Sequence, residues 1–248
     1  MNRAPEVAVL LLAHVAPGER AWLFGRLVRG ARGLARVPGL RFARILGSGH
    51  EGGFGLRPSF EHGGVFALFD DEPSAERFID ESPSVQAYRQ RSTEFLAAML
   101  RATSVRGSWD GRTMVPSTWP QPGGPVASLT RASIRPRRAL AFWRHAAPAQ
   151  AALADAEGCE LLAGLGEAPL FRQATFSLWR NAAAMDDYAR KGAHQAAIRE
   201  AYQQGYFSES MFVRFVPLLL RGRWQGRTHD HRQTSALQLQ GEREVANA

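Results

Sequence analysis

The chain has 248 residues, 45% of them apolar, enough for one large packed domain or two small ones. Cys159 is its only cysteine, which excludes an internal disulfide and a thiolate metal cluster, and no apolar run reaches the roughly 18 residues of a membrane helix. The net charge of +8 rests on arginine, Lys191 being the only lysine, a skew that reads as genome composition. With no arginine-rich recognition helix, zinc-finger spacing or aromatic–glycine RNA-binding motif, nucleic acid is not an expected partner, whereas the basic surface suits peripheral contact with anionic lipid.

In chain order, the first apolar run follows Arg3 and loosely resembles a signal peptide. Glu6 spoils the basic end, and the second half has a matching run, so residues 6–16 read as a first strand of a soluble, cytoplasmic protein. Residues 20–37 carry Leu23, Phe24, Leu27, Val28, Ala31, Leu34 and Ala35 at helical steps, and Pro38-Gly39 stops the pattern. A strand at 41–47, a glycine-rich loop at 49–55 and a strand at 64–69 follow. The loop follows a strand but opens no helix, so it reads as flexible chain at a pocket mouth and not as a phosphate cradle. Residues 73–102 read as helical with a break near Pro83, ahead of a last strand before Trp109.

The same plan recurs: strand 125–135, helix 139–154, strands 159–166 and 172–179, helix 181–204 and strand 211–220. Arg106-Gly107-Ser108-Trp109-Asp110-Gly111 reappears 115 residues later as Arg221-Gly222-Arg223-Trp224-Gln225-Gly226. The expected class is therefore α+β, two ferredoxin-like β-α-β-β-α-β units (1–111 and 125–226) fused in one chain, each covering the other's open sheet face. Two independent beads are the alternative. Residues 112–124 read as a linker rich in proline and glycine, and 227–248 as a disordered tail. His229-Asp230-His231 in that tail is a weak metal-clip candidate.

Where the two halves differ, a site is expected. Aligning Phe69-Asp70 with Trp179-Arg180 sets His194 opposite Ser84. His194, Ala197, Ile198, Ala201 and Tyr202 share one apolar helical face, so the imidazole points either into a satisfied core position or into a space that holds a metal or haem. On the first strand of the second half, Leu129, Arg131, Ser133 and Arg135 lie on one side by period two. They are either solvated near the strand end, or they offer a guanidinium to a carboxylate or a bound oxygen species. Gln173, Thr175 and Ser177 alternate on a nearby strand and add polar contacts.

Several stretches resemble the spheroidene monooxygenase family of carotenoid biosynthesis. They are residues 36–42 with Gly47-Ser48-Gly49, residues 127–136, Phe142-Trp143-Arg144, Gly164-Leu165-Gly166-Glu167, Thr175-Phe176-Ser177-Leu178-Trp179, Ala184-Met185, residues 194–199 and Gly205-Tyr206-Phe207. The resemblance runs to about Gly226. It implies a dimeric α/β-barrel fold and a haem b iron monooxygenase that adds oxygen to a carotenoid or similar polyene. It further implies an electron donor such as ferredoxin, and a homo-oligomer is compatible with it. In that light His194 is the metal ligand, with Ile198, Arg131 and Arg135 beside the cofactor and Arg131 and Ser177 as catalytic residues. The loop around His50-Glu51 and the basic tail depart from the family pattern, which leaves the substrate open. A dehydratase or peroxidase on the same fold, or a barrel that only binds a ligand, would fit the same residues.

Overall fold

A computed structural model of the protein describes residues 5–55, 57–117, 123–144, 153, 155–168, 170–190, 200–201 and 203–233. They form nine antiparallel strands: β1 Val7–Val15, β2 Leu40–Gly49, β3 Pro58–Phe69, β4 Ser92–Gly107, β5 Val126–Ile134, β6 Cys159–Ala168, β7 Arg172–Trp179, β8 Phe207–Trp224 and β9 Arg227–Arg232. The sheet order is β4-β1-β3-β2-β6-β7-β5-β8-β9, and β4 also pairs with β8. Eight strands thus close a barrel, with β9 attached outside on β8. Each half contributes four strands in the same relative order, fourth-first-third-second, and its helices lie on the outside of the barrel.

Four labelled helices pack there: α1 Arg20–Arg29, α2 Glu72–Glu81, α3 Pro83–Arg91 and α4 Ala182–Arg190. Residues 139–144 are also helical. The expected helix over 20–37 is α-helical only to Arg29, because Gly30 takes φ 60° and its amide folds back onto the carbonyls of Arg26 and Leu27. A 3-10 turn then runs over Gly30–Leu34. The expected helix over 73–102 stops at Arg91, and β4 begins at Ser92. Its run Leu96–Leu100 is buried on both faces, the barrel inside and the helices outside, so it lacks the alternation that marks a strand.

The β4–β8 seam has a local two-fold symmetry. The pair Leu96↔Gly222 maps onto Met211↔Gly107 by the 115-residue shift, and Leu100↔Pro217 maps onto Phe215↔Ala102. The two tryptophan motifs end this seam as twin turns. Asp110 and Gly111 (φ 50° and 72°) match Gln225 and Gly226 (51° and 76°), the backbone of a type I′ turn. A glutamate from the opposite half clamps each turn. Glu209 accepts from the amides of Asp110 (3.0 Å) and Gly111 (2.8 Å), and Glu94 accepts from those of Gln225 (2.9 Å) and Gly226 (2.8 Å). The two glutamates are themselves 115 residues apart.

Two segments differ from expectation. Residues 112–117 pack against the barrel: Met114 is buried at one barrel end, and the Ser117 amide donates to the Ala102 carbonyl at 2.8 Å. Within the expected tail, 227–232 is the strand β9, paired with Leu219–Trp224. Backbone ladder bonds after a tight turn hold this polar edge strand, so apolar periodicity did not announce it. Among the described residues no helix is long and apolar enough to cross a membrane.

Candidate functional site

Two regions bring chemistry together, one inside the barrel and one outside the second half. The inner region centres on Arg131. It lies on β5 facing inward, opposite Ala174 on β7, and is 1% exposed. Its Nη1 reaches Glu209 at 2.5 Å and its Nη2 reaches Glu167 at 3.2 Å, with Asp110 at 3.7 Å. The guanidinium carbon lies 5.5 Å from the centre of the Trp109 ring, whose Nε1 donates to Glu167 at 2.9 Å. Arg44 pairs with Asp110 and with Glu167 (3.2 Å), and Arg172 stands 3.7 Å from Glu167.

A buried cation needs such partners, and three carboxylates supply them. Burial raises the Glu209 pKa, but the amides of Gly111 and Asp110, the Ser108 hydroxyl and Arg131 more than reverse this and bring it down to about 2. Arg131 is therefore engaged by protein carboxylates that join strands of both halves. The small cavity beside Trp109, lined by Phe42, Phe66, Leu68, Trp109, Arg112, Met114 and Met211, has room for about one water molecule, about 10 Å³. Ligand sites run to roughly 300–1,000 Å³. The barrel interior is filled by side chains.

The outer region is the helix-facing side of the second sheet. Strand register equates its rows with those of the first half. Val7 pairs with Phe69 as Val126 does with Trp179, which supports the Phe69–Trp179 alignment. Moving along β1, Val9↔Ala67 and Leu11↔Val65 become Ser128↔Ser177 and Thr130↔Thr175. On the neighbouring strands Ile45, which pairs with Val65, becomes Gly164, which pairs with Thr175. In the first half these positions join one apolar cluster with Leu23, Phe78, Ile79 and Tyr88 from the helices. In the second half the described apolar cluster on this side holds only Val126, Leu153, Trp179 and Met185 as fully buried members. Leu11 is 1% exposed, whereas Thr130 stands exposed.

The polar groups on this face are tied to one another. Ser128 and Ser177 share a hydrogen bond at 2.9 Å, and the Trp179 indole donates to Ser177 Oγ at 2.9 Å. The glycine-rich loop of the first half reaches over the same face. Ser48 donates to the Gly164 carbonyl, and a Cβ on Gly164 would meet the Gly53 carbonyl at 2.2 Å. Phe54 packs on the Trp143 ring at 4.9 Å. The loop thus covers part of this face.

Ser177 and Arg131 lie on opposite faces of one sheet, so they do not form one catalytic pair. Arg135 is exposed just past the end of β5, where its Nε donates to the Phe207 carbonyl at 3.0 Å. Ser133 faces Glu209 on β8 and Arg172 on β7. His194 and Ile198 lie outside the described residues. Sequence reasoning did not single out Asp110, Glu167 and Glu209 as partners of Arg131. One signal was available: Glu167 directly follows the uncharged run Leu161–Gly166, and a carboxylate there needs a cation. The His229-Asp230-His231 clip lies on β9, and among the described residues no cluster of three or more histidine, cysteine or carboxylate side chains is placed to hold a metal.

No family model matches the chain. A spheroidene monooxygenase of Rubrivivax gelatinosus is 53% identical over 90% of this chain and 87% of its own length. One from Rhodobacter capsulatus is 33% identical over 90% of this chain and 94% of its own. Among solved structures, an aldoxime dehydratase superposes with a TM-score of 0.57 at 10% identity, over 88% of this chain and 83% of its own, a likeness of fold alone. The chain is a monooxygenase and belongs to the spheroidene monooxygenase family.

Proposed function

We propose that this enzyme is a haem-dependent monooxygenase that oxygenates a carotenoid or similar apolar polyene, with its cofactor on the helix-facing side of the second sheet. The observation that carries the site is the contrast between Leu11 and Thr130. Two sheets with the same strand order carry different outer faces: at matched positions the first presents Val9, Leu11, Val65 and Ile45, the second Ser128, Thr130, Thr175 and Gly164. Ser128, Thr130, Thr175 and Ser177, beside the loop that covers Gly164, suit a broad flat group, and the barrel interior does not. The 53% identity to a named spheroidene monooxygenase supports a polyene substrate over the dehydratase and peroxidase readings.

In this reading His194 would hold the iron and Ile198 would contribute to cofactor binding. When bound, the haem would activate oxygen with electrons from a donor such as ferredoxin. The chain's own part is to position and exclude. The Ser128–Ser177–Trp179 hydrogen bonds fix the polar floor, and Phe54, Phe142 and Trp143 close one side against water. Arg135, exposed just past β5, would pair a propionate. Arg131 acts from the far side of the sheet as a positioning residue that ties β5 to β8 through Glu209.

The symmetric seam and the twin turns support an origin by duplication of a ferredoxin-like unit, with boundaries at 1–111 and 125–226. Two fused units make a barrel in one chain, so a homo-oligomer is not needed to close the sheet.

The test is the pigment of the purified protein. One iron per chain and a Soret band that His194→Ala removes without unfolding are expected, together with an oxygenated product in cells fed a carotenoid precursor. Colourless protein with full activity would overturn the cofactor reading.

A further inference from the structure

The second half carries a surface that these roles leave unused. The turn Pro136–Arg138 and the helical residues after it present Leu140, which is 70% exposed. The β6–β7 turn rises beside it. Trp143 Nε1 donates to the Leu170 carbonyl at 3.1 Å, and the Ile134 amide donates to the Phe171 carbonyl at 2.7 Å. Leu170 and Phe171 are 38% and 39% exposed. Arg135, Arg137 and Arg138 are exposed around them, and no aspartate or glutamate lies between residues 132 and 154.

Single exposed apolar side chains need no explanation, but three grouped among arginines do. An acidic protein surface would satisfy the charges but would need a matching apolar patch to cover the leucines and phenylalanine. A bilayer interface with anionic head groups satisfies both, hydrocarbon for the side chains and phosphate for the guanidinium groups. Its position also suits this role, because Arg135 directly follows β5, whose outward residues floor the proposed site.

We infer that Leu140, Leu170 and Phe171, with Arg137 and Arg138, dock the enzyme on an anionic bilayer, the phase in which an apolar polyene is dissolved. This deepens the reading above and rests on it for the substrate, though not for the binding itself.

The experiment is co-sedimentation of the purified full-length protein with vesicles of phosphatidylcholine alone and of phosphatidylcholine with phosphatidylglycerol. Binding to the anionic vesicles only, weakened at high salt, is expected. The pairs Arg137→Glu with Arg138→Glu and Leu140→Ser with Phe171→Ser should each lower the bound fraction roughly tenfold, with unchanged circular dichroism and visible spectrum. The pair Phe24→Ser with Val28→Ser, on the exposed side of α1 in the first half, should bind as the parent does.

Equal binding to both vesicle types, no binding by the parent, or binding that survives the patch variants would overturn the inference. So would patch variants that keep vesicle binding but accept electrons poorly from reduced ferredoxin, since the patch would then dock an acidic protein. His194→Ala separates the two readings: vesicle binding should persist in it whether or not pigment is lost.

Discussion

The two outer sheet faces share a strand order and differ in the side chains they present. The first is a closed apolar core in which Val9, Leu11, Val65 and Ile45 meet α1, α2 and α3. The second offers Ser128, Thr130, Thr175 and Gly164 at the matching positions. The difference teaches that two sheets of one strand order tolerate an aliphatic and a hydroxyl-bearing outer face at the same register positions. The second face, and not the first, offers polar groups to a ligand.

The inner network tests this comparison most severely, because it joins strands of both halves. Arg131→Ala should cost about 3–5 kcal/mol by leaving Glu167 and Glu209 without their buried cation, read as a lower midpoint in urea unfolding. A loss below about 1 kcal/mol with a changed visible spectrum would instead return Arg131 to the cofactor. Next come exchanges between the faces. Leu11→Thr should destabilise by about 2–4 kcal/mol, since it removes packed methyl groups and buries a hydroxyl. Thr130→Leu, its mirror, should change stability by about 0.5 kcal/mol or less yet abolish pigment retention. Equal effects on stability would show that the two faces are alike.

The twin turns give a smaller contrast. Glu209→Gln should cost about 2 kcal/mol and Glu94→Gln about 1 kcal/mol, because both lose charge-assisted bonds to amides but only Glu209 also meets buried Arg131. The smallest effect is that of pH. Burial, then the stacked His14 ring 4.0 Å away, lowers the His62 pKa to about 4. The unfolded chain binds this proton first, so stability should fall as pH drops from about 6.5 towards 4. Glu209, held near 2, adds a further loss below about 4.5. His62→Gln should flatten the upper window and Glu209→Gln the lower one, as read by thermal midpoints.

Much of the architecture was legible, because strands that alternate, such as Arg172–Trp179, announce themselves at the observed bounds. Leu96–Leu100 did not, since a strand buried on both faces has no period to read. The repeat of Trp109 and Trp224 pointed to duplication, and its deeper sign, the Glu94–Glu209 exchange of clamps, needs the fold to be seen. Period two placed Arg131 and Leu129 on one side of β5 correctly. It could not say that this side is the barrel interior, because in a closed barrel both sides of a strand are covered. That is why Arg131 and Ser177 were joined in one expected site and are separated by a sheet.

The barrel is fastened unequally. Along β4 and β8 the two halves pair from Leu96↔Gly222 to Gly107↔Met211, whereas among the described residues β2 and β6 pair only at Gly47↔Gly166. The second junction hangs on a single rung, with the Gly49–Gly55 loop strapped across it. Amide hydrogens there should exchange with solvent well before those of the opposite junction. Thermal opening of this cylinder would begin at that slit, beside the surface on which the chemistry is proposed to occur.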